Sequence, residues 1–322
     1  MSFRQTSVSG FPAVALRSAD LEIIAVPEIG MKLTNLRRLK GREWLWRNDQ
    51  IPLAPPVPGA SYVETADSGG WDECFPTVGA CPMPDAAPGG RMLPDHGELW
   101  SAPWTSSVYE HAEGTTLTGS VSGTIFPYEF QREITLDRKQ PVARFRYRLR
   151  HTGGMPFPWI WSSHPLLNIQ PGSELTLPGV TQVKLSAVHG RSDLSEGDVV
   201  SWPGGIGGTA DRFVAPPEGG WAVKLFADVG AEGRMQLTDP RKGERLEFVV
   251  NPSQVPQVGV WINIRGWAAP GRSPYYNVAL EPCIGAPDRL DLAVREWGTA
   301  QTLHPGEERE WSLEVWLPDE ND

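Results

Sequence analysis

The chain has 322 residues, and its 39 acidic and 29 basic side chains give a formal net charge of −10. The basic residues are dispersed, which excludes the basic stripe of a nucleic-acid-binding protein. No apolar stretch approaches the length of a membrane span, and residues 1–18 lack the apolar centre of a secretory signal. Cys74, Cys81 and Cys283 form neither an even disulfide framework nor a four-ligand zinc pattern. We therefore expect a cytoplasmic protein with neither a nucleic-acid nor a membrane partner.

Strand-like patterns recur from one end of the chain to the other. The 34 glycines and 31 prolines show no repeat period, which is typical of many turns between short strands. Apolar residues occupy alternate positions over residues 130–137, 142–150, 258–265 and 311–317. This alternation indicates half-buried strands of antiparallel sheets. The four arginines at positions 144, 146, 148 and 150 fall on the polar side of one such strand, and we interpret them as a solvated face.

Helical periodicity is confined to residues 287–297. Apolar residues fall at helical spacing there, with Pro287 before them and Gly298 directly after them, and these are the usual signals of a helix start and end. Four segments rich in proline and glycine interrupt the strands, namely residues 51–61, 81–94, 203–208 and 216–220. Similar strand patterns resume after each one, so we interpret them as loops. We predict a single all-β domain over residues 1–322, a large antiparallel β-sandwich with at most one or two short helices.

Four segments concentrate titratable and aromatic residues in surroundings rich in glycine and proline. They are residues 69–76, 94–100, 159–168 and 279–283. Each has an acid, a base or a hydrogen-bonding group at a strand end or in a loop, where functional groups tend to lie on rigid scaffolds.

Three of these and two further segments resemble motifs of the aldose 1-epimerase family, in the same chain order. The matching segments are Val-Pro-Glu-Ile-Gly at 26–30, Asp-His-Gly-Glu-Leu-Trp at 95–100, Ser-His-Pro at 163–165 followed by Asn168, Glu-Pro at 281–282, and Leu-His-Pro-Gly-Glu at 303–307. Together they span nearly the whole chain. The resemblance implies a galactose mutarotase-like β-sandwich and a mutarotase that needs no cofactor or metal. Its partner is then a small carbohydrate, which it binds as a monomer or a homodimer.

Interconversion of the α and β anomers of an aldose requires one base and one acid. The base removes the proton of the anomeric hydroxyl while the acid protonates the ring oxygen, and the opened chain rotates and recloses. The resemblance implies that Glu281 is the base and His164 the acid. It also implies that His96 binds the sugar near the reacting centre.

Five further residues are candidate substrate contacts. Asp72 and Glu73 follow two glycines, and we expect at least one of them to bind sugar hydroxyls. Arg132 occupies the apolar side of its strand, which is compatible with an ion pair or with a ligand contact. Trp261 and Asn263 share one strand face, in a region that the resemblance places near the pocket. The histidines at positions 111, 151, 189 and 304 are interpreted as surface residues.

The chain departs from galactose-acting members of the family in ways that leave the sugar open. The second histidine motif continues as Pro-Leu-Leu-Asn and lacks an aromatic residue. An aspartate is expected between His164 and Glu281, and Asp239 is a candidate by order alone. A phosphorylated or sulfonated sugar requires several basic residues, but the sequence offers only Arg132 and Arg265, without a cluster.

Three other functions remain open at this level. The fold is also compatible with a sugar-binding protein that has no turnover. A cupin-type metal enzyme would use His96, Glu98 and another histidine, although the close His-x-His pair is absent. A hydrolase or lyase would use Glu281 with Asp72 or Glu73 on either side of the cleaved bond.

Overall fold

The computed structural model describes residues 2–84 and 90–318, so the predicted loop 81–94 lies partly outside the described residues. Strands β1 to β8 are Phe3–Val8, Phe11–Arg17, Leu21–Val26, Lys32–Arg38, Trp71–Cys74, Cys81–Pro82, Met92–Leu93 and Thr105–His111. Strands β9 to β16 are Gly114–Ser122, Tyr128–Asp137, Val142–His151, Phe157–Trp159, Trp161–Asn168, Glu174–Thr176, Gln182–His189 and Val199–Ser201. Strands β17 to β24 are Arg212–Val214, Trp221–Asp228, Arg234–Asp239, Glu244–Val250, Gln257–Ile264, Tyr276–Ile284, Gln301–Leu303 and Glu308–Trp316.

Helical structure in these residues is short. Helix α1 is Tyr62–Thr65 and helix α2 is Leu290–Leu292, which continues as a π-helical turn over Ala293–Trp297. Two 3-10 turns are Leu99–Ser101 and Gly204–Ile206. The helix predicted over residues 287–297 thus begins three residues later, and it ends at Gly298 in a left-handed conformation with φ of 65°.

Two large antiparallel sheets form the sandwich. One has eleven strands in the order β1-β2-β3-β4-β5-β13-β22-β21-β18-β15-β16. The other has nine strands in the order β17-β14-β19-β20-β24-β11-β10-β9-β8. Two small pairs, β12 with β23 and β6 with β7, lie outside them. The predicted all-β antiparallel β-sandwich is confirmed.

The core lies between the two large sheets because aromatic residues of both meet there. The ring of Trp71 on β5 stacks on Phe145 of β11 with centroids 4.7 Å apart. Trp161 of β13 contacts Tyr147 of β11 at 4.8 Å and Trp311 of β24 at 5.1 Å. Large aromatic side chains dominate the burial of apolar surface, so this layer fixes how the sheets are stacked.

Outside this core, the arginines of β11 behave as the alternation predicts. Phe145 and Tyr147 are buried, whereas the arginines between and after them point outward. Arg148 and Arg150 pair there with Glu308 and Glu129. The outer face of the nine-stranded sheet is therefore a solvated, charge-balanced surface.

A charged pair is buried within the aromatic layer. Arg132 of β10 and Glu73 of β5 are both fully buried, and Arg132 Nη1 donates a hydrogen bond to Glu73 Oε1 at 2.7 Å. Glu73 also accepts hydrogen bonds from Tyr147 at 3.1 Å and Trp161 at 2.8 Å. Burial raises the pKa of Glu73, whereas the charge of Arg132 and these hydrogen bonds oppose the rise. The expectation of a substrate contact is corrected for both residues, because they face the core and bind each other.

We expect Arg132→Met to lower the free energy of unfolding by about 3–5 kcal/mol, because it leaves a buried carboxylate without its counter-charge. Urea unfolding followed by circular dichroism measures the loss. The double variant Arg132→Met with Glu73→Gln should recover part of it, since no uncompensated charge remains. Arg146→Met, on the exposed side of β11, is the matched control and should change stability by less than about 0.5 kcal/mol. Equal stability of Arg132→Met and the control would contradict a structural role for the pair.

Candidate active site

A cavity of about 220 Å³ opens on the face of the eleven-stranded sheet that is turned away from the core. Its strand residues include His164 of β13, Lys224 of β18, Trp261 of β21 and Glu281 of β22. Its other residues include Tyr62 of α1 and the loop residues Asp67, His96, Trp267, Tyr275 and Asp288. The volume fits a small molecule.

The alternation of side chains along the strands puts the charged residues on this face. In β22, Val278 and Leu280 belong to the core, so Glu281 points to the other side. In β18, Val223 and Leu225 belong to the core, and Lys224 between them also points to the cavity side. Because β13, β22, β21 and β18 are consecutive in the sheet, these side chains converge on one patch.

Glu281 has one carboxylate oxygen held and the other open. Lys224 Nζ donates a hydrogen bond to Oε2. Oε1 has no hydrogen-bond partner among the described residues and lies 3.7 Å from His164 Nε2. Burial raises the pKa of Glu281, and the positive charge of Lys224 opposes the rise. Since Lys224 also lies 3.4 Å from Asp288 Oδ1, its ammonium is held by two carboxylates.

Gly259 gives this ion pair its room. It lies directly opposite Glu281 in the pairing of β21 with β22. A Cβ atom at this position would lie 3.1 Å from Glu281 Oε2 and 3.0 Å from the Phe226 ring. A larger residue would therefore crowd the Glu281 carboxylate and the Phe226 ring.

The pKa values of the two pocket histidines are shifted in opposite directions. Burial lowers the pKa of His96, but a hydrogen bond with Asp95, with Nδ1 and Oδ1 2.8 Å apart, raises it above its ordinary value. Burial lowers the pKa of His164 well below its ordinary value, and the charges of His96, Lys224 and Lys32 lower it further. The rings contact each other edge to face at 4.9 Å. His96 is therefore protonated more readily than His164.

His96 is held in an unusual backbone conformation. Its φ is 60°, in the left-handed region, and its N–H donates to Val78 O at 2.5 Å. The next residue, Gly97, packs so closely against the backbone of Phe75 that a Cβ atom on it would lie 2.1 Å from Phe75 O. The His96 ring stacks on that of Tyr62 with centroids 4.0 Å apart. Strained conformations of this kind concentrate at functional sites, where they fix the direction of a side chain.

Aromatic rings form another wall of the cavity. The rings of Trp261 and Trp267 are 5.8 Å apart and perpendicular, at 89°. The rings of Trp267 and Tyr275 are 6.0 Å apart at 87°. Trp267 and Tyr275 both lie in the loop that joins β21 to β22. Of the five substrate contacts expected from the sequence, Trp261 is the one that lines the cavity.

Asp72 and Asn263 lie behind the wall and support it. The Asp72 carboxylate accepts hydrogen bonds from Tyr62 and from Lys32. Asn263 Oδ1 accepts from the backbone N–H of Trp267 at 3.2 Å, and Nδ2 donates to its carbonyl at 2.9 Å. Both predicted contacts are thus one residue removed from the cavity.

Asp239 is not the expected pocket aspartate. It is in β19 of the nine-stranded sheet, and its Oδ2 forms an ion pair with Arg42 at 3.2 Å. At the pocket, the partner of Glu281 is Lys224, and the aspartates that line the cavity are Asp67 and Asp288. The prediction by chain order alone is wrong.

Several cavity residues were not predicted from the sequence. Lys224 could have been predicted, because it is a charged residue that alternates with Val223 and Leu225 in an apolar strand. His189, interpreted from the sequence as a surface residue, lines the cavity at the end of β15. Asp67 and Asp288 are in loops, where no periodicity could have placed them.

The geometry also bears on a metal site. Glu98, one of the ligands considered, accepts hydrogen bonds from Thr124, from the N–H of Ile125 and from Tyr128. Its carboxylate therefore holds the loop before β10 and does not join His96. Over residues 2–84 and 90–318, no group of three histidine, cysteine, aspartate or glutamate residues has a geometry that could hold a metal ion. The cupin-type interpretation lacks its ligand set.

In residues 2–84 and 90–318, every helix is too short or too polar to cross a membrane. Cys74, Cys81 and Cys283 are buried free thiols.

Comparisons with known proteins identify the fold. No protein-family model matches the chain, and neither does any curated protein sequence. Among solved structures, a protein from Synechocystis sp. PCC 6803 superposes with a TM-score of 0.71 at 17% identity, over 97% of this chain and 99% of that one. A galactose mutarotase related enzyme from Lactobacillus acidophilus gives a TM-score of 0.67 at 14% identity, over 95% and 97%. A candidate aldose 1-epimerase from Escherichia coli K12 gives 0.67 at 14% identity, over 98% and 99%. The chain therefore has the galactose mutarotase-like fold, as the sequence motifs indicated.

We expect the two pocket histidines to titrate far apart. Because Asp95 raises the pKa of His96, its imidazole should be protonated to a pH above 6.5, whereas the His164 imidazole should stay neutral well below that pH. Imidazole nitrogen shifts in a ¹⁵N NMR titration measure both, with His96→Asn used to assign the signals. Asp95→Asn should move the His96 midpoint downward. A His164 midpoint at or above that of His96 would contradict this electrostatic ordering.

Proposed function

We propose that the protein is an aldose 1-epimerase, a mutarotase that interconverts the α and β anomers of a small aldose by acid–base chemistry with no cofactor. The observation that carries the proposal is the open Oε1 of the buried Glu281 in a cavity of monosaccharide size that the imidazoles of His96 and His164 also line. A carboxylate and a protonated imidazole are the two groups that ring opening requires. The shared fold supports the same activity.

In this proposal Glu281 Oε1 removes the proton from the anomeric hydroxyl. As the carbonyl forms, the bond from the anomeric carbon to the ring oxygen breaks, and an imidazolium protonates that oxygen. Rotation about the adjacent carbon–carbon bond presents the other carbonyl face, and the reverse proton transfers close the ring. Both groups end in their initial protonation states. Each well-placed group contributes on the order of a hundred- to ten-thousand-fold to the rate.

The protonation states favour His96 as the acid, although the family resemblance assigns this role to His164. His96 holds its proton because of Asp95, whereas burial and neighbouring charges keep His164 neutral. His164 lies between Glu281 and His96, where a neutral imidazole orients the anomeric hydroxyl by a hydrogen bond. Trp261 offers a flat face for the sugar ring.

Lys224 supports a second candidate function, a carbohydrate-binding protein without turnover. Its hydrogen bond to Oε2 stabilises the carboxylate form of Glu281 and so weakens it as a base. A hydrolase that uses Glu73 is excluded by the burial of this residue in the core. The cytoplasmic location and the monomeric or homodimeric state remain predictions.

We expect Glu281→Gln to lower the rate of anomer exchange at least about a hundredfold, because the amide cannot accept the anomeric proton. Saturation-transfer NMR on a panel of free aldoses measures the rate, and circular dichroism verifies the fold. Glu218→Gln, at an exposed glutamate, is the matched control and should retain the wild-type rate. Near wild-type exchange in Glu281→Gln would remove Glu281 from the role of base. Line broadening without exchange in the wild type would favour the binding protein.

We expect a bell-shaped dependence of the exchange rate on pH. The rate should fall at low pH as Glu281 becomes protonated, and at high pH as His96 loses its proton. Because Asp95 raises the pKa of His96, Asp95→Asn should move the alkaline limb to lower pH and leave the acid limb in place. Rates measured from pH 4 to pH 9 decide this. An alkaline limb that is removed by His164→Asn but unmoved by Asp95→Asn would return the acid role to His164.

A further inference from the structure

Asp67 is a carboxylate at the cavity without a counter-ion. It is 4% exposed and lines the same cavity as Glu281. Among the described residues, it accepts one weak hydrogen bond, from the N–H of Gly69 at 3.3 Å, and forms no ion pair with a lysine, arginine or histidine. A buried carboxylate is costly unless it is paired or functional. Asp67 has no role in the proton transfers proposed above.

Aromatic rings adjoin this carboxylate. The rings of Tyr275 and Trp267, which line the same cavity, meet edge to face at 87° and form a corner. The ring of Trp46 packs against that of Tyr275, with centroids 4.6 Å apart. The charge of Asp67, after burial, contributes to a raised pKa of Tyr275, which is consistent with their proximity. A carboxylate beside a corner of aromatic faces complements an organic cation, which gains both charge pairing and cation–π attraction.

The rest of the cavity offers nothing to an anionic substituent. No arginine is among the described residues that line it, and its one lysine, Lys224, is held by Glu281 and Asp288. The positive charge of His96 is matched by Asp95. A phosphate or sulfonate would therefore meet more carboxylates than free cations, so the cavity selects against acidic sugars.

We propose that the substrate is an amino sugar whose ammonium group lies between Asp67 and the rings of Trp267 and Tyr275, while its anomeric centre lies at Glu281. The placement of the ammonium rests on the cavity, and that of the anomeric centre rests on the proposed mutarotase function. Both carboxylates line one cavity of about 220 Å³, so a single monosaccharide contacts both.

The first test compares binding of 2-amino-2-deoxy-aldoses with that of the parent aldoses and the N-acetyl derivatives, by calorimetry at pH 7. The amino sugars should bind at least about tenfold more tightly than either control, which corresponds to about 1.4 kcal/mol. In Asp67→Asn the ratio of amino-sugar to parent affinity should fall to about one. Asp49→Asn, at an exposed aspartate, should retain the wild-type ratio. Equal affinity for amino and parent sugars in the wild type would overturn the proposal.

The second test uses pH. Burial raises the pKa of Asp67 to about 6, although the positive charges of Lys32 and His96 oppose this rise. The groups that face Asp67 are Lys32, Asp72, Tyr62, His96 and Tyr275. An ammonium ligand requires ionised Asp67, so its affinity should fall at least about threefold from pH 7 to pH 5, and the affinity of the parent sugar should fall less. The same fall in Asp67→Asn would show that another group is responsible.

These tests separate the two proposals. Preferential binding of the amino sugar without accelerated anomer exchange would support the cation subsite and contradict the mutarotase. Accelerated exchange of neutral aldoses without any preference for the amine would support the mutarotase and contradict the subsite.

Discussion

One stereochemical constraint organises the molecule, namely that successive residues of a strand point to opposite faces of the sheet. The eleven-stranded sheet must bury one face against the nine-stranded sheet, so each of its central strands has one apolar set and one set free for other use. Glu281 and Lys224 belong to the free set, while Leu280 and Leu225 belong to the core. Asp72 and Glu73, adjacent in sequence, are separated by the same rule, since one supports the pocket and the other is paired with Arg132 in the core.

As a result of this arrangement, side chains of the same type have different electrostatic surroundings. His96 and His164 are in ring contact, yet one is coupled to Asp95 and the other to positive charges. The carboxylates differ as well, because Glu281 has Lys224 as its partner and Asp67 has no cation within ion-pair distance among the described residues. The proposed acid, base and cation subsite thus use ordinary side chains that differ in their neighbours alone.

The sequence was sufficient for the fold and for three of the residues that line the cavity. Alternation and turn composition predicted the antiparallel sandwich, and short motifs indicated Glu281, His164 and His96, which the structure brings to one cavity. Strand alternation would also have separated Asp72 from Glu73 and drawn attention to Lys224. Asp67, Asp288 and Trp267 could not have been found, because loop residues are placed by contacts between distant segments. Asn263, for example, positions Trp267 through two backbone hydrogen bonds that no local pattern encodes.

The division between strand and loop residues has an evolutionary consequence. Glu281 and His164 are on strands whose pairing fixes them, whereas Trp267 and Tyr275 are on the single connection between β21 and β22. Insertions and replacements in that connection alter the rings of the proposed cation subsite without shifting Glu281, the proposed base. Substrate preference and chemical step can therefore diverge independently, and descendants of such a protein could change the sugar they recognise by changing one hairpin loop.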